Sequence, residues 1–247
     1  MQSEVTVILY DKKRRITGLV ANGQEFATQR IISNVDVSTL YKTLLNDSAA
    51  PLAKRYRRLP PSSSALVYYW GINRNCKELG VHNILFSQDY DKEFETIHTS
   101  KEMPEDPTIY INITSKITPA DAPHGQENWF LLVNAPPHDG RTWEEELRVT
   151  RLQIIEKISP ILGINLQDHI VIEDHMTPAD IEKQTGSYCG SLYGISSNTT
   201  MAAFLRHPNF SKRYRGLYLC GGSVHPGGGM PLATLSGIIA ARLLMEN

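Results

Sequence analysis

The stretch that most restricts this chain's fold lies near its end. Leu217 to Cys220 is a short apolar run suited to a buried strand, and Gly221 to Gly229 holds five glycines around Pro226. From Pro231 the apolar residues Leu232, Leu235, Ile238, Ile239 and Leu243 recur at helical spacing, with small residues between them. Proline in a first helical turn forfeits only an N–H that had no partner within the helix. Strand, loop and helix start together bring bare amides and the positive end of a helix dipole to one place. Such a place receives an anionic or electron-rich group. Two common phosphate loops are excluded: no Gly-Lys-Ser/Thr follows, as a Walker A loop demands, and no βαβ unit with a ribose-binding acid comes after it.

Upstream, the chain is rich in strands. Residues 4–10, 16–21 and 25–33 read as a β-meander, turning at the polar run 11–15 and at Asn22-Gly23, where both residues tolerate positive φ. Asp36 is placed to cap a helix over Val37–Asn46. Residues 62–72, 83–87, 107–115, 128–134 and 169–175 are further strand candidates. In the third of these, Ile109, Ile111 and Ile113 alternate with Thr108, Tyr110, Asn112 and Thr114, which leaves a polar or cavity-lining face. Helices are predicted over Asp89–His98 and over Trp143–Ile158, the second with Trp143, Leu147, Leu152, Ile155 and Ile158 on its apolar stripe and ended by Pro160, and a capped helix start at Thr177. The fold class expected is α+β: a mixed or antiparallel sheet packed with helices, a meander before it and the strand–loop–helix after it. The segments expected are 1–48, 49–208 and 209–247.

Composition narrows the chemistry. A net charge of −1 gives nucleic acid no footing as a partner. Cys76, Cys189 and Cys220 are odd in number and far apart, which argues against zinc and a disulfide framework and for a reducing cytoplasm. No stretch reaches the roughly 18 apolar residues of a membrane span, and residues 11–15 put charges where a leader would be apolar. The eight histidines offer no metal spacing. Ser223 and His225 lack the Gly-x-Ser-x-Gly elbow and an orienting acid. Glu173 and Asp174 point to opposite faces of a strand, and Cys220 reads as a core residue. No catalytic side chain and no metal site are predicted, so the chemistry falls to a cofactor.

The run 217–231 (Leu-Tyr-Leu-Cys-Gly-Gly-Ser-Val-His-Pro-Gly-Gly-Gly-Met-Pro), followed by Leu-Ser-Gly-Ile-Ile-Ala-Ala, resembles the C-terminal flavin-binding signature of the bacterial phytoene (carotenoid) desaturases. These are FAD-dependent oxidoreductases of the amine-oxidase-like superfamily. Ile31–Asp36, Ser62–Gly71, Asp106–Ile111, Ala122–Gly125, Gly186–Gly194 and Phe204–Pro208 fall where family landmarks are expected. The resemblance implies that Gly221, Gly222, Ser223, His225, Pro226, Gly228, Gly229, Met230, Pro231 and Leu232 hold FAD, with the helix amides aimed at the flavin ring. Gly222 stands where many amine-oxidase-like flavoproteins carry an acid and where the carotenoid desaturases tend to have a small residue.

It also implies a function: hydride transfer to the flavin from a carbon beside a long apolar polyene, with the strands at 64–72, 109–113 and 129–133 walling a tunnel. The family's N-terminal glycine fingerprint is absent here. The chain is therefore expected to be a C-terminal half: a FAD-domain meander (1–48), a substrate-binding domain (49–208) and a returning FAD segment (209–247). Its expected partners are the missing N-terminal half, a lipophilic polyene and a membrane surface met from the cytoplasm, with the basic residues 54–58 as one contact. FAD is not expected to stay bound without that half. The alternatives are a cofactor-free substrate-binding fragment, and another flavin oxidoreductase of the superfamily: a saturase, an isomerase or an amine oxidase with Tyr188 and Tyr193 beside the flavin.

Overall fold

In the computed structural model, residues 3–196 and 206–246 are described, and they form two units. The first joins the residues up to Ser62 to those from Glu182 on; the second is Ser63–Ile181. Residues 49–62 and 182–196 thus lie with the meander. Phe204 and Leu205 of the 204–208 landmark, and Asn198 at the start of its connection, fall outside the described residues.

The second unit is an antiparallel sheet of β5 (Ser64–Ile72), β6 (His82–Leu85), β7 (Ile109–Asn112), β8 (Glu127–Ala135) and β9 (Ile170–Met176), in the order β6-β7-β8-β5-β9. β5 and β8 pair from Ser64↔Ala135 to Ile72↔Glu127. Alternation sends Leu66, Tyr68, Trp70, Ile109, Ile111, Trp129, Leu131 and Val133 to one buried face. That face packs with Ile154 and Ile158 of helix α4 (Glu144–Leu162), and each such side chain contributes about 1.5–3 kcal/mol on burial. Helix α3 (Tyr90–Glu95), capped by Asp89, runs on as a π-type turn, Thr96–Ser100, rather than as one regular helix.

Two expectations about α4 need correction. The helix passes through Pro160 and ends at Gly163, whose φ of 63° is the left-handed C-cap conformation. Proline is tolerated so near the end because it costs a single bond to a carbonyl one turn back. Leu152, expected on the buried stripe, is exposed, and Ile154 takes its place.

The first unit opens with the meander β1 (Val5–Tyr10), β2 (Ile16–Ala21) and β3 (Gln24–Ala27). The third strand is shorter than expected. Thr28 folds its hydroxyl onto Arg30, accepting from N at 3.3 Å and donating to O at 3.1 Å, which breaks the strand. The remainder, β4 (Ile31–Ser33), leaves the meander and pairs in parallel with β10 (Leu217–Leu219). Asp36 caps α1 (Val37–Thr39), accepting from Ser38 N at 2.8 Å, and the helix continues as a π-type turn, Leu40–Leu44.

The core of this unit gathers Ile8, Ile16, Leu40, Tyr41, Tyr214 and Leu219 with Ala53 and Tyr56 of α2 (Pro51–Arg58). At its edge the Asp47 carboxylate accepts from the Tyr214 hydroxyl, from Arg213 Nε at 2.9 Å and from Arg14 at 3.2 Å. Helix α5 (Pro178–Thr185) carries the boundary between the units. The closing helix α6 (Met230–Glu246) fully buries only Ser236 and Ala240. Its larger residues Leu232, Leu235 and Ile238 are 42%, 45% and 46% exposed. A helix apolar on most sides is normally covered by protein.

His207 is fully buried beside Tyr41 and Tyr56. Its Nδ1 donates to the Pro208 carbonyl at 2.7 Å, which leaves Nε2 to accept from the Tyr41 hydroxyl at 3.2 Å. That is the neutral imidazole, and burial holds its pKa below the ordinary 6.5. In the unfolded chain the ring protonates as pH falls below about 6.5; in the folded chain burial delays protonation to lower pH. Stability is therefore complete above that pH and declines below it. The urea midpoint of the chain is expected to drop between pH 7 and pH 5.5, and His207→Gln to flatten that slope. An equal slope in both proteins would contradict this account.

Candidate cofactor site

β10 is buried throughout and lies in register with β4, Leu217 opposite Ile31 and Leu219 opposite Ser33. Cys220 N extends the pairing to the Ser33 carbonyl at 2.9 Å. The chain then leaves the strand into the glycine loop, which three buried side chains fix.

Asn209, 3% exposed, donates its amide to the His225 carbonyl at 2.8 Å and to Ser236 Oγ at 2.9 Å, tying the loop to α6. Ser236 Oγ in turn accepts from Gly221 N at 3.2 Å. Arg206, 8% exposed, donates to the carbonyls of Gly222 at 2.7 Å, Tyr193 at 2.8 Å and Ile195 at 3.3 Å. Turning the Gly222 carbonyl towards Arg206 points the next N–H, that of Ser223, the opposite way, because the peptide is planar and trans.

Glycine is needed at two contacts here. A Cβ on Gly194, whose φ is +71°, would stand 2.8 Å from Ser223 Cα. A Cβ on Gly228 would stand 2.5 Å from the Tyr193 ring. The 186–194 loop and the glycine loop therefore meet backbone to backbone.

The expected site residues are brought together, in different capacities. Ser223 Oγ accepts from Val37 N at 3.2 Å, which joins the loop to α1. His225 donates its backbone N to the His207 carbonyl at 2.9 Å, and its side chain is exposed. The bond from His225 to Pro226 is cis. Gly229 has open space around it, and Met230, Pro231 and Leu232 are exposed at the start of α6. Burial pushes the Cys220 thiol up, away from thiolate chemistry. No cluster of metal-ligating side chains exists among the described residues.

The donor set suits an anionic cofactor. Within the described residues the amides of Gly222, Ser223, Gly228 and Gly229 have no protein acceptor, and they lie beside the N-terminus of α6. Four free amides at a helix start match phosphate oxygens or an electron-rich ring edge. Sequence reasoning found the loop but missed Arg206, Asn209 and Ser236, which hold it. A buried arginine and asparagine in a connection between apolar runs were the available signal.

A short parallel pair feeding a glycine loop and a closing helix, with a separate antiparallel sheet, is a fold this chain shares with solved oxidoreductases. An oxidoreductase from Methanosarcina mazei superposes on 99% of this chain and 49% of its own, with a TM-score of 0.59 at 14% identity. A putrescine oxidase superposes with a TM-score of 0.54 at 13% identity, over 99% of this chain and 49% of its own. No protein-family model matches the chain.

Its sequence relatives are carotenoid enzymes. The 1-hydroxycarotenoid 3,4-desaturase of Flavobacterium sp. (strain P99-3) is 46% identical over 93% of this chain and 47% of the relative. The 4,4'-diaponeurosporene oxygenase of Staphylococcus haemolyticus (strain JCSC1435) is 34% identical over 90% of this chain and 45% of the relative. The chain is homologous to these carotenoid desaturases and oxygenases and spans about half the length of the curated relatives it matches.

Proposed function

We propose that this chain supplies the polyene site and one side of the flavin site of a carotenoid desaturase. The observation that carries this reading is a row of rings on the second unit's sheet, on the face opposite the one that packs with α4. His82, Tyr110, Phe130 and Tyr69 stand on β6, β7, β8 and β5, with successive centroids 6.1, 6.4 and 5.7 Å apart. Neighbouring strands are about 4.8 Å apart, so the row runs for roughly 15 Å across the sheet. The His82 Nδ1 and the Tyr110 hydroxyl are 2.8 Å apart and satisfy each other, so the Tyr110 hydroxyl adds no unpaired polar group to the row. A flat conjugated chain lying along the row gains ring contacts.

When bound, FAD supplies the acceptor for a hydride taken from a carbon beside the polyene. Gly222, Ser223, Gly228 and Gly229 would hold it by their free amides, with Arg206 fixing the loop. The chain works with a complementary half that carries the rest of the flavin site. Three features support this: the coverage of about half of each relative, the uncovered apolar residues of α6, and β4. On one edge β4 pairs with β10, and no described strand pairs with its other edge, although parallel strands are ordinarily flanked on both sides. Contact with lipid is peripheral, through the exposed Lys54, Arg55 and Arg58 of α2; no helix of the described residues is long and apolar enough to cross a membrane.

Co-expression of the chain with that half, in a host that accumulates a partly saturated carotenoid, is the test. A yellow complex and a red-shifted pigment spectrum are expected. An unchanged pigment from a flavin-loaded complex would end the desaturase reading, and oxygenated pigment would favour the oxygenase reading that the relative at 34% identity keeps open. Joint replacement of Tyr110 and Phe130 by alanine is expected to raise the apparent KM about tenfold, each ring contact contributing about 0.5–1.5 kcal/mol beyond its area.

A further inference from the structure

The first unit has a second concavity, away from the glycine loop. A cleft of about 1140 Å³ opens at the amino end of β10, whereas the glycine loop leaves its carboxyl end. Arg15, Arg30, Lys212 and Arg215 line it, with Phe210 and Leu243 among its apolar surfaces. Arg15 and Arg215 are direct bridge partners, held by Ile16 N to the Arg215 carbonyl at 3.0 Å and Arg215 N to the Arg14 carbonyl at 2.9 Å. Like charges placed opposite each other in a strand pairing are unfavourable.

Among the described residues neither arginine has an ion-pair partner, and no carboxylate pairs with Lys212. The one acid of the cleft, Asp11, spends its Oδ1 on the amides of Lys13 at 2.8 Å and Arg15 at 2.9 Å. The wall behind the pair is rigid, because Gly216 packs its backbone directly on that of Gln29.

We propose that this cleft binds a phosphate group, with Arg15 and Arg215 as its paired ligands and Lys212 and Arg30 completing the positive rim. Two guanidinium forks carried on directly paired residues can reach the oxygens of one phosphate and relieve their own repulsion on binding it. Phe210 and Leu243 offer an apolar neighbour to whatever the phosphate is attached to. That attachment is either a lipid, with the cleft meeting a headgroup, or a soluble phosphate ester.

The test uses the full chain with two probes: pyrophosphate by calorimetry, and vesicles of phosphatidylglycerol against vesicles of phosphatidylcholine by sedimentation. Binding of pyrophosphate alone assigns a soluble ester, and binding of the anionic vesicles alone assigns a headgroup. In either case R15Q/R215Q is expected to weaken binding at least tenfold with its thermal midpoint unchanged, while K54Q/R55Q/R58Q binds like the parent. If the double variant is destabilised, K212Q is expected to give a smaller loss in the same direction. Binding of neither probe, equal binding by the variants, or loss of phosphate binding when the complementary half is added would overturn the assignment.

Discussion

Alanine at Gly216 is expected to lower the stability of the chain by about 3 kcal/mol or more. The residue has a φ of +92°, and a Cβ there would stand 2.1 Å from the Gln29 carbonyl oxygen. Left-handed backbone costs an L-residue about 1–2 kcal/mol and overpacking typically about 1–3 kcal/mol. Neither neighbour can yield cheaply: Gln29 leads into β4, Gly216 leads into β10, and Ile31 N bonds the Gly216 carbonyl at 2.9 Å. Gly229 is the matched control, with the same φ of +92° and nothing within 4 Å of its Cβ position. Alanine at Gly229 should therefore show the backbone cost alone. Urea denaturation of the two variants separates the contributions, and equal midpoints would refute the close approach at Gly216.

Arg206→Met carries the second large effect, and it bears on cofactor binding. The guanidinium serves three carbonyls from two segments, and stranding a buried acceptor costs about 1–3 kcal/mol. A loss of about 3 kcal/mol is the expected sum after partial relaxation. Flavin retention by the complex with the complementary half should fall at least tenfold, because the Gly222 carbonyl would no longer be turned inwards. Arg206→Lys keeps the charge but lacks the planar fork; it should recover part of the stability and little of the retention. If both variants bind flavin like the parent, Arg206 supports the fold and does not position the loop.

How much of this was readable beforehand depends on how local each feature is. The Asn22-Gly23 turn, the Asp36 cap and the alternation in β7 are set within a few residues, and they stand as read. The break between β3 and β4 was missed because a threonine hydroxyl ended a run that otherwise favours strand throughout. The glycine loop was legible because its chemistry is in its own residues, whereas its three fasteners are far from it or apolar in company. The row of rings needs residues 69, 82, 110 and 130 on one face, which only the strand order and register supply. The basic cleft likewise collects residues near 15, 30 and 213 through one isolated bridge and the β4–β10 pairing.

The uncovered residues of α6 have a consequence for measurement. A partner that covers Leu232, Leu235 and Ile238 binds the folded chain and not the unfolded one, so folding and association share one equilibrium. The apparent stability of the first unit then has no single value; it climbs with the logarithm of the partner's free concentration, by about 2.7 kcal/mol at a hundredfold excess over Kd. A melting temperature for this chain is meaningful only beside the concentration of what it was melted with.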